Sequence, residues 1–149
     1  MSDRRKDATT VTQKLNAELL KKLPFQNTQD FDDAKRGFIA PLPDNGVIKN
    51  SQGLAVWDIS RFTDFIKEGA PAPDTVNPSL WRQSQLTLLG GLYQVTDRMY
   101  QVRNADLSNL TIVEGDTGII IFAPLISSET AKAALDLYYQ LISCQLGNW

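Results

Sequence analysis

One long part of the chain alternates hydrophobic and polar positions densely enough to demand a sheet, the stretch from Gly91 to Pro124. Tyr93 and Val95 alternate with polar neighbours, Asp97-Arg98 can turn the chain, and Tyr100 and Val102 resume the pattern against Gln101 and Arg103. That predicts a first hairpin. Leu107, Leu110 and Ile112 then lead through Glu114-Gly115-Asp116-Thr117-Gly118 into Ile119 to Phe122, and the two glycines suit a tight connection, which predicts a second. The run Ile119-Ile120-Ile121-Phe122 does not alternate, so it is expected to be a central strand covered on both faces. After Pro124 the period changes. Ser127 is placed to cap a helix beginning near Ser128, with Glu129 in its first turn and Ala131, Ala134, Leu135, Tyr138, Leu141 and Ile142 along one apolar face. Hairpins followed by a helix that packs on them predict the α/β class, with α and β elements in layers.

Upstream the apolar positions are sparser. Val11, Leu15 and Leu19, with Leu20 and Leu23 close by, make a helical stripe that Pro24 ends, and this predicts a docking helix. Asp30, Asp32 and Asp33 form a short acidic cluster. A calcium loop needs more oxygen ligands, a glycine for its turn and a closing glutamate, so these carboxylates are expected to cap or solvate a short helix reaching Gly37. Val47-Ile48 and Leu54 to Trp57 flank Asn50-Ser51-Gln52-Gly53, the pattern of a small hairpin. Asp58 can cap a short helix carrying Ile59, Phe62, Phe65 and Ile66, aromatics whose spacing reads as packing. Ala70 to Pro78 holds three prolines and reads as a connector, the best internal boundary. Asn77-Pro78 then starts a helix with Leu80, Trp81, Leu88 and Leu89 on its apolar side, stopped at Gly90-Gly91. The organisation expected is an N-terminal arm over residues 1–76 and a sheet-and-helix domain over 77–149.

Several long blocks carry a resemblance in the right order. NPSLWRQSQ (Asn77 to Gln85), GLYQVTDRMYQVR (Gly91 to Arg103), DLSNLTIVEGDTGIII (Asp106 to Ile121) and Pro124-Leu125 resemble the opening of the metallo-β-lactamase domain of bacterial and fungal alkyl sulfatases. LPFQNTQDFDDAKRGFIAPLPD (Leu23 to Asp44) is similar to the arm that precedes that domain in the same family, so the likeness runs from about Leu19 to Gln140. The resemblance implies the N-terminal portion of a metallo-β-lactamase fold preceded by a partly helical arm. It also implies sulfuric ester hydrolysis, alkyl sulfates such as dodecyl sulfate being cleaved to alcohol and sulfate by water activated on zinc, and it makes Phe62 and Phe65 thinkable, though less so than core packing, as lining for an alkyl chain. Two departures stand against that activity in this chain. The family's histidine motif does not follow Gln140, and the aspartate that usually ends the Ile119 to Phe122 strand is replaced by Ala123. The tail from Leu141 to Trp149 loses the likeness, as in a truncated form or as in a divergent short paralogue whose helix ends at Gly147.

Composition narrows the chemistry further. The 149 residues include no histidine, and a hydrolytic zinc site is built from imidazoles and carboxylates converging on the metal. The same absence removes Ser-His-Asp and Cys-His machinery. No catalytic residue and no metal ligand is assigned, the substrate-binding residues are unknown, and no cofactor is expected in this chain although zinc is expected in full-length relatives. Glu114 and Asp116 fall in a hairpin connection and read as solvated. Cys144 is the lone cysteine, without a cationic neighbour to activate its thiol, and reads as inert. A net charge of −2 gives no electrostatic reason to expect nucleic acid, and Arg4-Arg5-Lys6 reads as a solvated terminus. Ser2 to Gln13 has no signal-peptide core, which points to the cytoplasm, whereas the bacterial relatives implied by the resemblance are often exported. The function expected is that of an alkyl sulfatase-like protein inactive on its own. The alternative is a non-catalytic interaction module that pairs with a full-length homologue.

Overall fold

The computed structural model describes residues 6–143. Their first helix, α1 (Thr10–Lys22), starts where the Thr9 hydroxyl accepts the Thr12 amide and stops before Pro24. None of its residues is buried, and Val11 and Leu15 are 66% and 57% exposed, so the apolar stripe is real but faces solvent. α2 (Gln29–Lys35) buries Phe31 alone. A first strand follows, β1 (Phe38–Ala40), which the sequence pattern did not suggest. The expected small hairpin is present as β2 (Val47–Lys49) and β3 (Ala55–Asp58), its turn held by the Asn50 side chain accepting the Gln52 and Leu54 amides.

Asp58, expected to cap α3 (Ser60–Thr63), lies one position ahead of the N-cap, which is Ile59 without a side-chain cap, and accepts instead the amide and the hydroxyl of Ser60. The packing expected around it is only partly found. Ile59 is buried, whereas Phe62 and Phe65 are 48% and 58% exposed, because α3 is a single turn and cannot turn three successive apolar positions inward. The proline-rich connector is held by α4 (Pro78–Thr87): the Trp81 indole and the Gln85 amide both donate to the Ala70 carbonyl, at 2.8 and 3.1 Å. Asn77 caps α4 as expected, while Leu80 points outward at 61% exposed.

The sheet is antiparallel and five-stranded, in the order β1, β4 (Gly91–Thr96), β5 (Met99–Arg103), β6 (Leu110–Glu114), β7 (Ile119–Phe122). Gly91, at φ 140°, lies where a side chain would meet the Ala40 carbonyl, so the β1–β4 approach requires glycine there. Registry sorts the side chains onto two faces. Leu92, Val102 and Leu110 form one row of the inner face, and Tyr100, Ile112 and Ile121 the next. α5 (Ser128–Tyr138) covers this face with Ala134, Leu137 and Tyr138, and a π-helical turn, Tyr139–Ser143, adds Ile142. Its start is a reciprocal cap between Ser127 and Thr130. The β2–β3 hairpin closes the core from the side through Ile48 and Trp57.

The expectation of α and β elements in layers is met, as helices packed with antiparallel strands. One placement within it is corrected: Ile119 to Phe122 is the last strand of the sheet among the described residues rather than a central one, with Ile120 and Phe122 exposed. Among the described residues no helix is long and apolar enough to cross a membrane. The sequence readings at Arg4, Arg5, Cys144 and Gly147 fall outside the described residues.

Candidate functional site

Polar groups converge where the two hairpins meet α5. The Tyr138 hydroxyl donates to Glu114 Oε1 at 2.5 Å, and the ring lies 5.5 Å from that of Tyr100. Burial, the hydrogen bond to Glu114 and the nearby carboxylate charge all push the Tyr138 phenol well above its ordinary range. It stays protonated at neutral pH and serves as a hydrogen-bond donor to Glu114. Beside it lies a cavity of about 660 Å³, lined by Asp97 and Arg98 from one turn, Glu114 to Ile119 from the other, and Tyr138 and Tyr139. Asp116 is solvated, as expected of its place in the hairpin connection, and pairs with Arg98 at 2.9 Å. Glu114 is instead partly buried and engaged by Tyr138.

The second polar centre is Asp106, in the loop between β5 and β6 and only 4% exposed. One carboxylate oxygen accepts the Ser108 amide at 2.8 Å, and the other accepts the Ile126 amide at 2.8 Å and the Thr130 hydroxyl at 3.0 Å. This ties the β5–β6 loop to the segment joining β7 to α5. That segment is strained: Ala123 and Leu125 both sit in the left-handed region, at φ 52° and 72°, a conformation unfavourable for residues with a side chain. Ala123 is the position where the resemblance leads one to expect an aspartate. Sequence reasoning overlooked Asp106, since an aspartate in a turn-rich loop has no spacing that marks it as buried.

A third cluster fixes the arm. Arg82 of α4 donates to both carboxylate oxygens of Asp30, at 2.9 and 2.5 Å, and to the carbonyls of Phe25 and Asn27. Its guanidinium also lies 5.0 Å from the Phe31 ring centroid. The hydrogen bond from Arg82 holds the Asp30 carboxyl below its usual range. The acidic cluster therefore divides: Asp30 anchors α2 to α4, Asp33 pairs with Arg36, and Asp32 is exposed.

These groups do not suit a zinc ion. The chain has no imidazole, Asp106 spends both oxygens on three donors, and Glu114 is engaged by a phenol. Among the described residues no group of three or more histidine, cysteine, aspartate or glutamate side chains could hold a metal ion. What the polar centres can do is position backbone: one locks a loop, one closes the end of a sheet, one holds an arm.

No protein-family model matches the chain. It is 62% identical over 135 residues to the linear primary-alkylsulfatase of a Pseudomonas species, covering 91% of this chain and 20% of that protein. With the (R)-specific secondary-alkylsulfatase of a Pseudomonas species it shares 49% over the same length and the same shares of the two chains. Among solved structures, the stereoselective inverting sec-alkylsulfatase Pisa1 from Pseudomonas superposes with a TM-score of 0.82 at 50% identity, over 91% of this chain and 21% of that one. The chain spans about a fifth of the length of the curated relatives it matches. Over 91% of its length, in sequence and in fold alike, the chain is thus a homologue of alkylsulfatases.

Proposed function

We propose that this chain is a scaffold portion of an alkylsulfatase-type hydrolase with the metallo-β-lactamase fold, supplying the arm and one sheet around which a zinc site is assembled by residues not among its own. Hydrolysis of a sulfate ester through metal-activated water requires histidine and carboxylate ligands that lower the pKa of the bound water. This chain brings none, and its buried carboxylates are committed to holding backbone. Its contribution is positional. The strained end of β7 and the Asp106 clamp fix where the chain leaves the sheet, and a reacting centre loses rate steeply when such supports shift by about an ångström. The observation that carries the reading is the 62% identity to a linear primary-alkylsulfatase, spread along 135 residues rather than confined to a motif.

The test is a chimera in which this chain replaces the matching fifth of that Pseudomonas enzyme. Hydrolysis of dodecyl sulfate is expected within about tenfold of the parent rate, a barrier change of no more than about 1.4 kcal/mol. The isolated chain is expected to hydrolyse none. A folded, zinc-loaded chimera without activity would overturn the scaffold reading.

A further inference from the structure

The loop joining β5 to β6, residues 104–109, sets fastenings and strain against each other. Its first residues lie inside the protein: Asn104 is 9% exposed, Asp106 4%, and Ala105 not at all. The chain then turns out to water at Leu107, 81% exposed. The buried end is held by elements far apart in sequence. The Trp57 indole of β3 donates to the Asn104 carbonyl at 2.9 Å. The Gly90 backbone, between α4 and β4, lies so close that a methyl there would stand 2.9 Å from Asn104 Cβ. Asp106 takes the Ile126 amide and the Thr130 hydroxyl, which fixes the connection from β7 to α5.

Against these fastenings stands Asn104 itself. Its φ is 61°, in the left-handed region. Asparagine visits that region more readily than most residues because its short side chain can bond locally. Here Nδ2 is buried and no residue among those described accepts its hydrogens. A donor buried in this way loses its hydration and gains nothing in return, which offsets roughly what one good hydrogen bond contributes. Glycine would carry neither burden, since it adopts positive φ freely and brings no amide. Asn104 therefore opposes the closure of its own loop.

We infer that residues 104–109 form a strap with a closed and an open state, and that Asn104 sets how often it opens. Asn104, Ala105 and Asp106 are consecutive and buried together, so the strap lets go of Trp57, Ile126 and Thr130 as one unit while the strands of the sheet stay paired. Opening hydrates the Asn104 amide. It also frees the β2–β3 hairpin at Trp57 and the start of α5 at Thr130, so these two sides of the core loosen together. The device belongs to this chain's own loop and does not depend on the function proposed above.

Hydrogen exchange in the full chain, followed by NMR, reads the strap at the Trp57 indole, the Ser108 amide and the Ile126 amide, with the Ile112 amide of β6 as the reference for global unfolding. The first three are expected to share one protection factor, at least about tenfold below that of Ile112. Asn104→Gly is expected to raise all three by about fivefold or more. Asn104→Ala removes the amide but keeps a β-carbon at positive φ, and its gain should fall short of glycine's. Trp57→Phe takes away the indole donor and is expected to lower protection at Ile126 by about fivefold or more, although Trp57 bonds to Asn104 and Ile126 to Asp106. Should the isolated chain not hold its fold, the same probes are followed in the chimera with the Pseudomonas enzyme. Probes that differ from one another by more than about tenfold, or that exchange only together with Ile112, would overturn the strap. An Asn104→Gly chain protected no better than the wild type would remove Asn104 as its control.

Discussion

The two helices before Phe38 and the sheet domain after it are held together by different physics. From Phe38 on, the sheet, the β2–β3 hairpin and α5 share a dry core in which Leu92, Val102, Leu110, Ile112 and Ala134 are wholly inaccessible to solvent. Ahead of Phe38, α1 buries no residue and α2 buries one. The arm is attached by polar contacts instead: Arg82 to Asp30 and two carbonyls, Lys35 to Glu68 at 2.6 Å, and the Asn16 amide to the carbonyls of Asp74 and Val76. Apolar burial stabilises by roughly 25 cal/mol per Å² and resists opening, whereas exposed ion pairs contribute at most about 1 kcal/mol and are screened by salt. The lesson is that global stability resides in the sheet and α5, while the arm's position depends on a few side chains and the surface it lies on.

Four changes would break or sharpen that contrast, the first being the most damaging. Ile112→Ala empties the centre of the core and is expected to cost about 3 kcal/mol, read as a lowered urea midpoint at unchanged slope. A loss under about 1 kcal/mol would show that the core collapses around the gap and is less tightly packed than its burial indicates.

Asp106→Ala leaves the buried Thr130 hydroxyl and the Ile126 amide without their acceptor and is expected to cost about 2 kcal/mol. Amide exchange should rise first between Ala123 and Ile126, where the backbone conformation is unfavourable. Uniform loosening of the whole sheet would instead mean that the clamp supports the core rather than the connection.

Raising the pH tests the aromatic part of the core. Tyr93, Tyr100 and Tyr138 all have phenol pKa values raised by burial, so the unfolded chain releases these protons before the folded one does. Stability is therefore fully present below about pH 10 and falls as the pH rises beyond it. Tyr138→Phe should flatten that alkaline decline, measured as the urea midpoint against pH, and an unchanged decline would remove Tyr138 as a contributor.

Arg82→Ala is expected to change global stability least, by under about 1 kcal/mol, while releasing α2. Limited proteolysis between Leu23 and Gly37 should accelerate at least about tenfold, with the sheet still protected. A full unfolding transition shifted along with the arm would erase the distinction between the two regions.

The sheet and α5 were legible because local pattern and final environment agree there. Tyr93 to Arg103 alternates as a hairpin must, and Ser127 with Glu129 marks a helix start in any context. The resemblance to alkyl sulfatases was legible for the same reason, as long blocks of sequence that the relatives share over 91% of the chain. β1 was not, because Phe38-Ile39-Ala40 is too short to show a period and becomes a strand only by pairing with β4. The polar centres were hidden as well. Glu114 and Asp116 look alike in sequence, yet one is fastened by Tyr138 from an element 24 residues away and the other stays in solvent.

By itself the sequence determined the elements with strong local signals, the absence of any imidazole for metal chemistry, and the family likeness, since each of these depends on residue types and their order. Only the tertiary structure decided which strand stands at the margin, where the apolar face goes uncovered, and which carboxylates are spent on holding backbone. Those outcomes depend on which distant segments meet, and an Ile-Ile-Ile-Phe run reads the same in the chain whether a neighbour lies on both of its sides or on one.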